Sequence, residues 1–238
     1  MLRNIATALA FAFTIALGFS LFGTAESQAR EPGANIYDHT TGKWVKKRKI
    51  YRNRAPAAKF RRRTVSITTN EPVGTIIVDT KSKYLYHVTS KRRAVRYGIG
   101  VGREGFEWRG QTKLARKAKW PSWTPPKEMI EREWRENKRR VSFMKGGPKN
   151  PLGARALYLH WPKGGDTGYR IHGTNEPWSI GLSMSSGCIR MLNKDVEHLY
   201  NNVKLGSKVV VIGPDGKDRR KFYREGFNPL RAIFSRGT

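Results

Sequence analysis

The chain has 238 residues, one cysteine, and 47 Lys and Arg against 18 Asp and Glu, a formal charge of +29. That length suits one sizeable domain with extensions rather than two cores. A single thiol excludes an internal disulfide, and so large an excess of cations points to a polyanionic partner or surface.

The chain opens MLRNIATALAFAFTIALGFSLFGTAESQARE: a short head with Arg3, an apolar run over residues 5–23, then small and polar residues. This is the pattern of a bacterial export signal over residues 1–29, with cleavage expected after Ala29 or Ser27. A run of about 19 apolar residues is also long enough to remain as a membrane anchor. Either reading puts the remainder outside the cytoplasm, in the periplasm or cell envelope. Export turns the charge away from nucleic acid, for which no motif is recognisable, and toward anionic phospholipid, lipopolysaccharide or carboxylate-bearing wall polymer. The segment 30–64 follows as a basic arm. Residues 40–64 hold 11 basic and no acidic side chains, as expected of a loosely attached arm on an anionic surface or of a solvated linker.

Alternating hydrophobicity then predicts strands over 75–79, 84–88 and 94–101, an antiparallel meander, with further strands over 156–160, 169–172 and 208–212. PPKEMIEREWRENKRR, residues 125–140, reads as a surface helix packed on the sheet, with Ile130 and Trp134 at i,i+4 spacing. A second helix is expected over 194–202, capped by Asn193, with Val196, Leu199 and Tyr200 as its apolar stripe. Glycine and proline are dense from 146 to 173, as in long shaped loops. Residues 213–238 read as a basic C-terminal extension whose Phe222, Tyr223 and Phe227 dock on the domain or form a weak interaction surface.

The chemistry centres on RIHGTNEPWSIGLSMSSGCIRM, residues 170–191, where His172 precedes Cys188 by sixteen positions. A thiolate attacks carbonyl carbon, and an imidazole can take the thiol proton and return it to a leaving amine. His172 ends a strand, Gly173 opens a loop, and Ser185-Ser186-Gly187 turns into the cysteine. The N–H groups of Gly187 and Cys188 are candidates for an oxyanion hole. Spacing alone leaves a buried inert thiol open. Among the other histidines, His39 lies in the arm, His87 in a strand and His198 on a helix. His160 ends a strand, either lining the same cleft or packed in the core. One cysteine and scattered histidines lack the spacing of a zinc site, so no metal and no cofactor is expected.

The stretch His172-Gly173-Thr174 followed by Ser185-Ser186-Gly187-Cys188-Ile189-Arg190 resembles the signature of the L,D-transpeptidases, the YkuD-type catalytic domain of bacterial cell-wall enzymes. The likeness extends more loosely through the meander, the NPLGARALYLH segment at 150–160 and the strand at 204–212. It implies a mainly β, β-sandwich-like catalytic domain over residues 65–212 with one or two short surface helices. It further implies cleavage between the third residue of a peptidoglycan stem tetrapeptide and its terminal D-alanine through a thioester. An amine of another stem, or a lysine of an envelope protein, then accepts the acyl group. On this likeness Cys188 is the nucleophile, His172 the base, the Gly173 carbonyl its orienting group, and Arg190 a substrate- or loop-positioning residue. Ser185 and His160 are further substrate-side candidates. Many members carry His where this chain has Ser186, which alters any substrate-orienting role there while retaining a hydroxyl. A hydrolase resolving the same thioester with water, and a non-catalytic basic envelope-binding module, are the competing readings.

Overall fold

A computed structural model of the chain describes residues 35–38, 43–46, 55–103, 108–185 and 187–226. The expected export signal or anchor, much of the basic arm, Ser186 and Phe227 lie outside the described residues.

Strands β1 (Asn35–Asp38) and β2 (Lys43–Lys46) pair antiparallel as a two-stranded sheet of their own. A 3-10 turn, Ala58–Phe60, leads into β3 (Arg63–Thr68). Phe60 is buried in a socket made by two glycines: a Cβ at Gly98 would lie 2.4 Å from the Phe60 Cβ, and one at Gly181 2.2 Å from its ring. The basic arm, expected to be loosely attached, is therefore fastened at its C-terminal end.

The expected meander is present as β4 (Ile76–Asp79), β5 (Tyr84–Ser90) and β6 (Arg93–Gly102). Side chains alternate between two cores: Ile76, Val78 and Leu85 enter one, while Ile77, Tyr86 and Val88 enter a second on the opposite face. A strand covered on both faces needs no polar alternation, which is why TIIVD reads as a continuous apolar run. Next come β7 (Gly110–Lys119), α1 (Lys127–Asn137), β8 (Arg155–His160) and β9 (Asp166–His172). The short strands β10 (Ser183–Ser185) and β11 (Ile189–Met191), then α2 (Asn193–Asn202) and β12 (Lys208–Ile212), follow. The last described elements are α3 (Arg219–Phe222) and β13 (Arg224–Glu225).

The hydrogen-bonded order β11-β9-β8-β7-β12-β4-β5-β6 closes on itself because β11 also pairs with β6. The mainly β class holds, with its layers realised as one barrel-like sheet. The main core draws on every strand of that ring, including Tyr97, Leu114, Leu157, Ile171, Ile189 and Val209, and α2 adds Val196 and Leu199.

Two helices depart from expectation. Helix α1 buries no residue: Ile130 is 39 % and Trp134 49 % exposed. Three apolar side chains, Met129, Ile130 and Trp134, among charges make too narrow a stripe to hold a helix on a sheet. Helix α2 begins as expected, but Asn193 does not cap it; Leu192 holds the N-cap position without a side-chain bond. The Asn193 amide oxygen instead accepts from the backbone N–H groups of Ala154 (3.0 Å) and Thr174 (3.1 Å).

The segment after Ile212 docks through residue 226. Strand β13 pairs with β3, and Tyr223 enters the second core beside Ile67, Ile77 and Ile212. The Tyr223 hydroxyl donates to Asp79 Oδ2 at 2.7 Å, and Arg219 Nε and the Ser82 N–H donate to the same carboxylate at 2.5 and 2.9 Å. Glu225 accepts from the Tyr86 hydroxyl at 2.6 Å and pairs with Arg96. Burial pushes the Asp79 carboxyl up, but Arg219, the Ser82 amide and Tyr223 together outweigh it and hold the group below its ordinary 3.8. A carboxyl depressed in the folded state stabilises above its unfolded pKa and loses that contribution as pH falls through the folded value. Urea midpoints should therefore fall with pH in the acid range, and Asp79→Asn should flatten that slope. Asp79→Ala, which strands the Arg219 and Tyr223 donors, should cost about 3–5 kcal/mol at neutral pH. An unchanged midpoint would show that the C-terminal clasp contributes nothing.

Candidate active site

Strands β9 and β11 run parallel, with Ile171 opposite Ile189 and His172 opposite Arg190. Parallel partners point the same way and side chains alternate along each strand. Ile171 and Ile189 are buried in the main core, so Arg170, His172 and Arg190 share the other face. Cys188, one residue ahead of β11, continues that face: its thiol is hydrogen-bonded to the Arg170 backbone and lies in the field of the Arg170 and Arg190 guanidinium groups. Two residues sixteen apart in sequence thus stand on adjacent strands.

His172 is buried, and its Nδ1 lies 2.6 Å from the Gly173 carbonyl oxygen. A carbonyl only accepts, so Nδ1 carries the proton and Nε2 the lone pair. Burial, with Arg190 and Arg170 adding to it and the Gly173 bond opposing, pushes the imidazole down to about 3. Cys188 moves the other way: burial raises its thiol, and the Arg170 backbone bond and the two guanidinium groups only partly offset that. At rest, therefore, both the thiol and the imidazole are neutral.

The loop after His172 is held by close packing. A Cβ at Gly173 would meet Asn193 Oδ1 at 2.2 Å, and one at Gly153, where φ is +63°, would meet Asn193 Oδ1 at 2.2 Å and the Thr174 nitrogen at 2.4 Å. Gly153, at the end of NPLG, is thus required by the loop that presents the Gly173 carbonyl. Arg190 ties the next part of this loop, with its Nη1 3.3 Å from Glu176 Oε2.

At the turn before Cys188, Gly187 has a left-handed φ of +99°. Its carbonyl accepts from the Trp108 indole N–H at 3.3 Å, and Trp108 stacks on Tyr169 with centroids 4.4 Å apart. The Ser185 hydroxyl donates to the Cys188 carbonyl at 2.5 Å, which commits that side chain to closing the turn. His160 pairs in register with Asp166, whereas His172 pairs with Ala156, so His160 is at the other end of the β8–β9 ladder from His172. Trp120 is 43 % exposed and Trp123 pairs through its backbone with Met144, whereas Trp108 bonds to the turn. Helix α1 contributes charge, since Arg132, Glu133 and Glu136 lie in the field of Arg103, which follows β6. His198 accepts or donates a 2.8 Å bond with the Tyr97 hydroxyl, a packing role. Among the described residues no three His, Cys, Asp or Glu side chains converge to hold a metal ion.

The YkuD model, L,D-transpeptidase catalytic domain, matches residues 74–211, more than half of the chain, and the chain belongs to that family. It is 34 % identical over 142 residues to the Escherichia coli K12 protein described as probable L,D-transpeptidase ErfK/SrfK, covering 58 % of this chain and 43 % of that one. It is 31 % identical over 169 residues to the protein described as probable L,D-transpeptidase YbiS of the same strain, covering 66 % and 51 %. The chain spans about half the length of these curated relatives. A solved chain from Brucella melitensis, described as a probable carnitine operon oxidoreductase caia, is 50 % identical over 64 % of this chain and 94 % of its own, with a TM-score of 0.43.

A neutral resting pair has a kinetic signature. Alkylation of Cys188 by iodoacetamide should be slow at pH 7 and climb through the alkaline range as the raised thiol ionises. A rate plateau already reached near pH 6 would instead reveal a thiolate–imidazolium pair and overturn the neutral assignment.

Proposed function

We propose that the chain is an exported cysteine L,D-transpeptidase that acts on the tetrapeptide stems of peptidoglycan in the periplasm or cell envelope. The observation that supports this reading is the parallel β9–β11 register, in which His172 stands opposite Arg190, two residues past Cys188 on the same face, with its Nδ1 already engaged by Gly173. The free Nε2 is then the site that takes a proton.

In the acylation half, Cys188 Sγ attacks the carbonyl carbon of the third stem residue while its proton passes to His172 Nε2. The oxyanion collapses, the C–N bond breaks, and D-alanine leaves with that proton on its amine. In the second half an amine attacks the thioester, gives its proton to His172, and the thiol is restored. A second stem as acceptor makes a 3→3 cross-link, and an envelope-protein lysine makes an attachment. Because thiol and imidazole are neutral at rest, charge separates only as the carbonyl is attacked.

Donors for the oxyanion are assigned to the Cys188 and Gly187 N–H groups. A trans peptide points its C=O and the following N–H in opposite directions. The indole of Trp108, by holding the Gly187 carbonyl, turns the Cys188 N–H away from itself. Trp108 is then a positioning residue for the hole. The basic arm is assigned to holding the enzyme against anionic envelope polymer, which shortens the search for substrate.

Incubation of the mature protein with disaccharide tetrapeptide, followed by mass spectrometry, tests the reading. Loss of D-alanine with an acyl adduct on Cys188 is expected, then dimeric 3→3 products; free tripeptide alone would assign a hydrolase, and no adduct on a reduced thiol would leave a binding module. Cys188→Ala should abolish the adduct, and His172→Ala should slow acylation about 10²–10⁴-fold. Trp108→Phe removes the indole donor and keeps the stack. It should slow acylation about tenfold, a modest share of what a lost oxyanion donor costs, while iodoacetamide alkylation, which forms no oxyanion, proceeds at the parental rate. Equal losses in both reactions would show that Trp108 serves only to hold the fold.

A further inference from the structure

The face that bears Cys188 also carries a straight row of side chains across the sheet. Register pairs Arg116 of β7 with Tyr158 of β8, and Tyr158 with Arg170 of β9. Cys188 stands next in line, bonded through its thiol to the Arg170 backbone. The side chains touch as the register requires: the Arg116 guanidinium carbon is 3.4 Å and that of Arg170 4.5 Å from the centroid of the Tyr158 ring. Adjacent strands lie about 4.8 Å apart, so the Arg116 guanidinium, drawn over Tyr158, is roughly 10 Å from the nucleophile.

The charges in this row are not equivalent. Arg170 closes its fork on Asp166, at 2.7 and 2.6 Å, and Arg190 faces Glu176. Arg116 is exposed and has no carboxylate partner among the described residues. Stacking on Tyr158 holds its plane, so less side-chain freedom is lost when its donors are engaged. An oriented, uncompensated guanidinium beside a nucleophile is suited to a planar carboxylate, which it can receive through two parallel N–H···O bonds.

We propose that Arg116, seated on Tyr158, is a carboxylate subsite for the acyl-donor peptide. It receives an acidic group roughly 10 Å toward the amino end from the carbonyl that Cys188 attacks, a span that the about seven bonds to the α-carboxylate of a γ-linked second residue can cover. The assignment rests on the reading of Cys188 as the nucleophile. Arg170 cannot serve in the same way, because a substrate carboxylate there would have to displace Asp166. Tyr158 orients Arg116 and screens the row from water on one side.

The test is binding of two synthetic tetrapeptides, L-Ala-γ-D-Glu-diaminopimelate-D-Ala with the second-residue α-carboxylate free or amidated, to full-length Cys188→Ala protein by calorimetry. The free acid should bind about tenfold more tightly, a difference of about 1.4 kcal/mol. Arg116→Gln should bring the two affinities together while leaving that of the amide unchanged, and Arg116→Lys, which keeps the charge without the fork, should fall between. Arg92→Gln, at the exposed β5–β6 turn, should keep the full difference. Equal binding of the two peptides before any change at 116, no binding of either, or a difference that survives Arg116→Gln would each overturn the subsite. Thermal unfolding of each variant reports whether the sheet is intact. Acylation is read separately with Cys188 restored: absence of a thioester would defeat the catalytic reading while a carboxylate-dependent affinity would leave the subsite standing.

Discussion

The site depends on a ladder two residues long, Ile171 with Ile189 and His172 with Arg190. Side-chain direction in a strand has a period of two, so a slip of one residue would turn His172 into the core and an isoleucine into the cleft. What prevents the slip is not chemistry at the site. Both isoleucines are fully buried in the main core, and each such burial is worth about 1.5–3 kcal/mol. Putting a charged or polar residue in their place would cost at least as much again. The apolar side of the strands therefore fixes the register of the polar side, and β11 is held from its other edge by β6 as well.

Around that ladder the loops are positioned by backbone contacts too close for side chains. Asn193, Gly153 and Gly173 converge so tightly that no Cβ fits at either glycine. One amide oxygen thereby links the loop before β8, the loop after β9 and the start of α2. The Gly173 carbonyl that fixes the His172 tautomer belongs to this knot. Helix α2 thus has two tasks, closing the core with Val196 and Leu199 and locking the loop that carries the Gly173 carbonyl.

Much of the fold was legible in the residues. The meander, the strands at 155–160 and 208–212 and helix α2 follow from alternation and apolar spacing, whereas a lone thiol in a glycine turn made Cys188 and His172 candidates only, and the family resemblance supplied the roles expected of them. The strand period also contained more than was taken from it: Arg170-x-His172 and Cys188-x-Arg190 each alternate around an isoleucine, which puts all four polar residues on one face. What stayed hidden depends on which strands become neighbours. Nothing local links Arg116 to Tyr158, and Trp108 meets Gly187 across 79 positions. Asn193 looked like a cap because Asn at a helix start commonly is one; a tertiary contact used its oxygen first. The extension after Ile212 lacked period because its order comes from single anchors, Arg219, Tyr223 and Glu225, rather than from a repeated face.

The burial that keeps this thiol protonated has a further consequence. Peroxides and disulfides react with thiolate, so a thiol held protonated by its surroundings is a poor target for them. The burial that raises Cys188 therefore also shields it from sulfenic acid and mixed-disulfide formation. A lone cysteine with no partner to reform a disulfide has no internal route of repair, and in this fold its durability comes from being withheld.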